Sequence, residues 1–112
     1  MSVVELHPEA EAEVDVGIAW YEQQWEGLGL EFLAEVDSAM ERIVRSPDQW
    51  RPYSDIPEVH RLNVHRFPYC VVYRYRQDRI QIVAIAHQRR KPGYWSGRLR
   101  DFDRHQEGAR DV

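Results

Sequence analysis

Cysteine is nearly missing from this 112-residue chain, in which Cys70 stands alone. One cysteine makes no internal disulfide, which excludes a stapled secreted scaffold and suits a reducing interior. Cys70 also lies in the apolar run Tyr69-Cys70-Val71-Val72-Tyr73, which reads as a small buried hydrophobe rather than a nucleophile. No apolar stretch approaches the roughly 18 residues of a membrane helix. The opening Met1-Ser2-Val3-Val4-Glu5 lacks the basic-then-apolar order of a secretory signal. The expected address is the cytoplasm, with no membrane partner. A Gly-rich phosphate loop, Gly-x-Ser-x-Gly and a Ser/His/Asp arrangement are all missing. His60 and His65 would point to opposite faces of a strand and no other ligand spacing supports them, so neither a metal nor a cofactor is expected.

Acidic residues are almost missing from one stretch. Residues 60–100 hold a single acid, Asp78, against 10 basic side chains, all Arg except Lys91. Residues 1–59 show the reverse, with 14 acidic and 3 basic, and residues 101–112 hold 4 acidic and 2 basic. The net charge of −4 conceals this division. A guanidinium grips carboxylate or phosphate through two parallel N–H groups, so a dense arginine block implies an acidic or polyanionic partner. The competing reading is that the basic strands pair with the acidic helices of the same chain.

With 43% hydrophobic and 30% charged residues, a chain of this size can bury one core unaided. Val3, Val4 and Leu6 predict a short strand. His7-Pro8-Glu9 opens a helix, since proline fits the first turn and acids favour its positive end. Val14, Ile18, Tyr21 and Trp25 recur at helical spacing along one face. Gly27 and Gly29 stop that helix, and a second follows over residues 30–45, with Phe32, Leu33, Val36, Met40, Ile43 and Val44 as its stripe and Ser46-Pro47 as its end. Residues 47–57, with three prolines, read as a loop. The period then changes. Val59, Arg61, Asn63 and His65 would share one strand face, with Leu62 and Val64 on the other. Residues 69–76 and 79–87 read as a hairpin around Gln77-Asp78, although the favoured Asn-Gly or Asp-Gly is lacking. The fold class expected is α+β: an N-terminal short strand and an antiparallel helix pair packed on a mainly antiparallel sheet of about four strands, whose other face shows the charged residues. Residues 1–98 make the domain, and residues 99–112 a loosely held charged tail.

Several segments, in this order and spacing, resemble the RelE/ParE family of type II toxins, its ParE-like side above all. They are His7-Pro8-Glu9-Ala10-Glu11-Ala12-Glu13, Trp20-Tyr21-Glu22-Gln23-Gln24, Gly27-Leu28-Gly29 with Phe32-Leu33, and Ile43 with Ser46-Pro47. The strongest are Arg66-Phe67-Pro68-Tyr69, Val72-Tyr73, and the run from Ala84 to Trp95. The resemblance covers roughly residues 3–98. It implies a toxin causing growth arrest or plasmid stabilisation, silenced by a cognate antitoxin whose C-terminal segment wraps it. Operator DNA would be met only indirectly, through the antitoxin. The ParE-like branch inhibits DNA gyrase by binding, and the RelE-like branch cuts mRNA on the ribosome.

Cleavage through a 2′-hydroxyl needs a base, a cation on the phosphate and an acid for the leaving oxygen. His87, Arg89, Arg90 and Tyr94, at and after the end of the last strand, are the candidates for that chemistry. RelE-like enzymes lean on a lysine and arginine cluster, whereas Arg61, Arg66, Arg74 and Arg76 stand here without lysine. For target or antitoxin binding the candidates are Arg61, Arg66, Arg74, Arg76, Arg90, Tyr94, Trp95 and Arg98. Trp95 also reads as core-closing packing, and Trp20, Trp25 and Trp50 as packing or interface residues. Three functions are open: a ParE-like gyrase inhibitor, a ribosome-dependent endoribonuclease, and an inactive module that only binds antitoxin. The first two share one expectation, that the arginines of the last strands gather on one exposed face opposite the helices.

Overall fold

A computed structural model describes residues 2–53 and 55–110, the last six as backbone only. The elements run β1 (Val3–Leu6), α1 (Pro8–Gln24), α2 (Leu28–Arg45), β2 (Arg51–Pro52), β3 (Val59–Asn63), β4 (Tyr69–Arg76), β5 (Arg79–His87) and α3 (Arg98–Arg110). The sheet order is β1-β5-β4-β3-β2, with β1 parallel to β5 and the remaining pairs antiparallel. The fold is α+β, as expected. Its sheet has five strands rather than about four, because two residues of the Pro-rich loop add β2 against Arg61 and His60.

Local chemistry sets the helix ends. The His7 ring accepts from the Glu9 amide at 3.1 Å and caps α1, with Pro8 in the first turn. At the far end the Glu22 carboxylate accepts from the amides of Gly27 (2.9 Å) and Gly29 (3.0 Å), which turns the chain into α2. Gly27 takes a φ of 87°, a left-handed conformation that glycine adopts without strain. Close helix contact depends on Gly17, where an added Cβ would meet the Phe32 ring at 2.6 Å. The Gln77-Asp78 hairpin forms with φ of 52° and 59°, the turn geometry for which Asn-Gly is favoured.

Alternation along the strands divides the interior in two. Toward α1 and α2, Phe32, Val36 and Ile43 meet Leu62, Val71, Tyr73, Ile80, Ile82 and Ile85. On the other face Val59, Cys70, Val72, Ala84 and Ala86 pack with Trp95 and Phe102. The expected split of Val59 from Leu62 and Val64 is present, with Val59 on the second face and the other two in the helix-side core. A register shift between Val72 and Tyr73 fits Val83 into β5 as an extra residue.

Two expectations need correction. Trp25 does not continue the buried stripe of α1. It is the C-cap, in extended conformation and 73% exposed, because Glu22 and Gly27 have already turned the chain. The stretch from Leu99 onward is not a loose tail as far as Arg104: it belongs to α3, docked by buried Phe102 and by ion pairs of Asp101 and Asp103. Its charged composition hid one apolar anchor among the carboxylates that arginines on the sheet were waiting for. Among the described residues, no helix is long and apolar enough to cross a membrane.

Candidate functional site

The second sheet face is divided. One end is closed by α3. Arg74, 5% exposed, donates from Nε to Gln81 Oε1 (2.7 Å) and from Nη2 to Asp103 (2.8 Å), and Arg76 shares the same carboxylate oxygen. The other end is an open groove of about 450 Å³. Its floor is the cross-strand row Asn63, Cys70 and Ala86, which lie side by side in register. Small side chains there make the depression. Its walls are tall: Trp50, Arg51, Tyr53 and Arg61 from β2, β3 and the adjoining loop, and His87, Arg90, Lys91, Tyr94 and Trp95 from the segment after β5.

The groove lining has four cations, Arg51, Arg61, Arg90 and Lys91, and no carboxylate. None of the four has an ion-pair partner among the described residues. Arg61 instead lies over Tyr53 (5.2 Å to the ring centroid) and Arg90 over Tyr94 (4.0 Å), so aromatic faces orient the charges without neutralising them. Exposed Arg89 follows His87 beside the rim.

A network behind the groove fixes its wall. Strand β1 covers β5 only as far as Ile82, which leaves the edge beyond it unpaired. Glu13 of α1 accepts there from the Ile85 amide (3.0 Å), the Tyr94 hydroxyl (2.6 Å) and Arg98 (2.9 and 3.0 Å), while Arg98 also donates to the Val83 carbonyl (3.1 Å). Between these anchors the chain turns through Gly93, at φ 82°. Burial, and then the hydrogen bond to Glu13, push the Tyr94 phenol well above its usual range. Burial likewise raises the Cys70 thiol. His87 accepts from the Arg89 amide through Nδ1 (3.0 Å), sits edge-on to Tyr69, and leaves Nε2 without a partner among the described residues.

The expected single arginine patch is therefore not what the structure contains. Arg61, Arg90 and Tyr94 do gather with His87 at the groove, whereas Arg89 is exposed and does not line it. Arg74 and Arg76 share a face with Arg61, but Asp103 occupies them. Arg66 pairs with Glu31, and Arg98 with Glu9 and Glu13. Trp95, 1% exposed, packs against Tyr53 at 5.3 Å as the closing wall of the core. Sequence reading missed Arg51 and Tyr53 as groove residues because the Pro-rich loop carried no pattern, and had Trp50 only as a packing or interface residue. It also took Glu13 for a helix-end charge. Its helical spacing from Glu9 was the available signal, since both reach Arg98. Among the described residues His60 pairs with no acid; its ring meets the Trp50 carbonyl (3.0 Å) and stacks on Tyr73. Among the described residues no cluster of metal-binding side chains occurs.

Sequence comparison matches residues 4–92 to the family described as the ParE toxin of type II toxin-antitoxin system, parDE. The chain belongs to the ParE toxin family. That match runs from the second residue of β1 through the remaining strands and both groove walls as far as Pro92, and leaves α3 outside it. Comparison with curated proteins gave no significant match. Among solved structures, the toxin fold is shared with the chromosomal ParDE toxin–antitoxin system from P. aeruginosa. That likeness has a TM-score of 0.67 and 21% identity, covering 78% of this chain and 96% of that one. The isolated E. coli RelE toxin is similar with a TM-score of 0.61 and 13% identity, covering 89% of this chain and 98% of that one. At these identities the likeness is one of fold.

Proposed function

We propose that this ParE-family toxin acts by binding, with DNA gyrase as its target, and that a cognate antitoxin silences it by laying an acidic segment into the groove. One observation carries this reading: the groove lining holds four cations and no carboxylate, in a chain with 19 acidic residues. Fixed positive charge in a concave, aromatic-walled site favours an anionic partner and speeds its capture. Proton transfer is poorly provided for. Tyr94 keeps its proton and donates a hydrogen bond with it to Glu13, and Cys70 is a buried thiol. That leaves His87 as the single imidazole, where cleavage of RNA needs both a base and an acid.

A supercoiling assay with purified toxin and gyrase tests the proposal. Inhibition is expected near equimolar toxin, and Arg61→Ala with Arg90→Ala should weaken it at least tenfold. Full gyrase activity at large toxin excess would remove the reading. The second reading, a ribosome-dependent endoribonuclease, draws on the free Nε2 of His87 at a groove rimmed by Arg61 and Arg90. Primer extension on translating ribosomes should then show codon-phased cuts, and undiminished toxicity of His87→Ala would dismiss it.

A further inference from the structure

Helix α1 carries two apolar stripes where a helix on a sheet needs one. Ala10, Val14, Gly17, Ile18 and Tyr21 face α2 and the sheet. Ala12, Val16, Ala19 and Trp20 repeat the i, i+4, i+7, i+8 spacing on the opposite side, and all four are exposed. Val16 is 69% and Trp20 55% exposed, and among the described residues the neighbouring Tyr21 is the one aromatic ring against Trp20. Acidic residues flank both stripes, so α1 is apolar on two sides rather than one. Scattered surface apolar residues need no explanation. An apolar stripe at helical spacing is a surface on which another helix can pack its own apolar face.

Charge identifies the occupant. Helix α1 contains no lysine or arginine. Along one flank of the outer stripe stand Glu11 and Asp15, both exposed and without an ion-pair partner among the described residues. They are one turn apart, and like charges at that spacing cost a helix a few tenths of a kcal/mol. Glu9 and Glu13 have the same spacing, but Arg98 lies between them. A second copy of this chain would bring more uncompensated acid to this face. A partner with basic residues beside its own apolar stripe would instead relieve the repulsion and cover Trp20.

We propose that the outer face of α1 is a docking surface for an amphipathic helix with lysine or arginine along one flank. The site is separate from the basic groove, and its ligand is of opposite sign. The two ends of the charge division thus serve two different partners.

The test uses the full chain and a fluorescein-labelled peptide of about five helical turns, built from Leu and Lys with one apolar face. Controls are a scramble of the same composition and the Leu/Glu counterpart. Anisotropy should show saturable binding of the Leu/Lys helix. The double variant Val16→Asn, Trp20→Gln should weaken it at least tenfold, about 1.4 kcal/mol or more. Glu11→Gln with Asp15→Asn should make it weaker and less salt-dependent, and Arg61→Ala should leave it unchanged. Both altered positions are exposed, so thermal melts should coincide with the parent and separate lost docking from lost folding. Equal binding of the scramble, or of the Val16/Trp20 variant, would overturn the proposal, as would no binding by the parent chain. Sedimentation provides the remaining arm. Self-association that the Val16/Trp20 variant abolishes would show the occupant to be a second copy and would also overturn it.

Discussion

Replacing Glu13 by alanine should destabilise the toxin by about 2–4 kcal/mol and loosen the groove wall without touching the groove. The magnitude follows from what the carboxylate holds. It accepts from Ile85, Tyr94 and Arg98 and is 19% exposed, against 13% for the Arg98 side chain. Each charge-assisted hydrogen bond is worth about 1.5–3 kcal/mol net, and stripping one member from a buried pair costs roughly 3–5 kcal/mol. One feature pulls the figure down: Glu9 stays 3.2 Å from Arg98 Nε. In a small domain whose whole stability is about 5–15 kcal/mol, the remainder is a large share.

Urea unfolding reads the effect as a lower midpoint at unchanged slope. Glu13→Gln, which keeps the shape and loses the charge, should fall between. A double-mutant cycle with Arg98→Met should give a coupling of about 1 kcal/mol or more. Hydrogen exchange at the Tyr94 and Ser96 amides, which close turns onto Lys91 and Gly93, should quicken more than exchange in β4. A Glu13→Ala loss under about 0.5 kcal/mol, or additive behaviour with Arg98→Met, would refute the idea that this network anchors the wall.

Three other outcomes are expected. Changing Gln77-Asp78 to Asn-Gly should raise stability by about 1–2 kcal/mol, because both residues take left-handed φ at a cost of roughly 1 kcal/mol each; a thermal melt rising by several degrees would bear this out, and an unmoved melt would mean the turn is unstrained. Hydrogen bonds from His7 and then Arg104 hold the Asp101 carboxyl below its ordinary value of 3.8, so its contribution is present above that pH and is lost as pH falls through the lower, folded value. Asp101→Asn should therefore flatten the acid limb of the stability curve, and an identical limb in parent and variant would contradict the linkage. Finally, Arg61→Gln with Arg90→Gln should leave urea stability within about 0.5 kcal/mol while abolishing most target inhibition; a matched loss in both would make these arginines structural.

The element order was readable because periodicity changes cleanly near Val59, from helical spacing to alternation. The strand faces were readable for the same reason, and Val59 and Leu62 fall on opposite sides as that alternation requires. What could not be read was pairing between distant charges. Alternation places Arg74 and Arg76 on one face, but says nothing of Asp103, 29 residues from Arg74, reaching back from a helix whose composition resembles a tail. Trp25 failed for a local reason, since the periodic pattern ran on after Glu22 had already capped the turn at Gly27. The groove was half legible. Its far wall followed from the Ala84 to Trp95 resemblance, and its near wall came from a proline-rich loop in which nothing recurs.

The charge division gains its meaning from which arginines the chain neutralises itself. Glu5 takes Arg79, Glu31 takes Arg66, Asp103 takes Arg74 and Arg76, and Glu9 with Glu13 takes Arg98. Every one of these pairs fastens parts of the chain that are distant in sequence, so each is accounted for by folding. Arg51, Arg61, Arg90 and Lys91 fasten nothing through charge, and they are the cations left around one groove. Mutual repulsion and the absence of a carboxylate make that grouping mildly unfavourable in the isolated chain, while Tyr53 and Tyr94 keep two of the guanidinium groups in place. A cluster that folding alone would have dispersed or paired is best explained by a partner that supplies the missing negative charge, and the outer face of α1, with Glu11 and Asp15 uncompensated, poses the same question with the opposite sign.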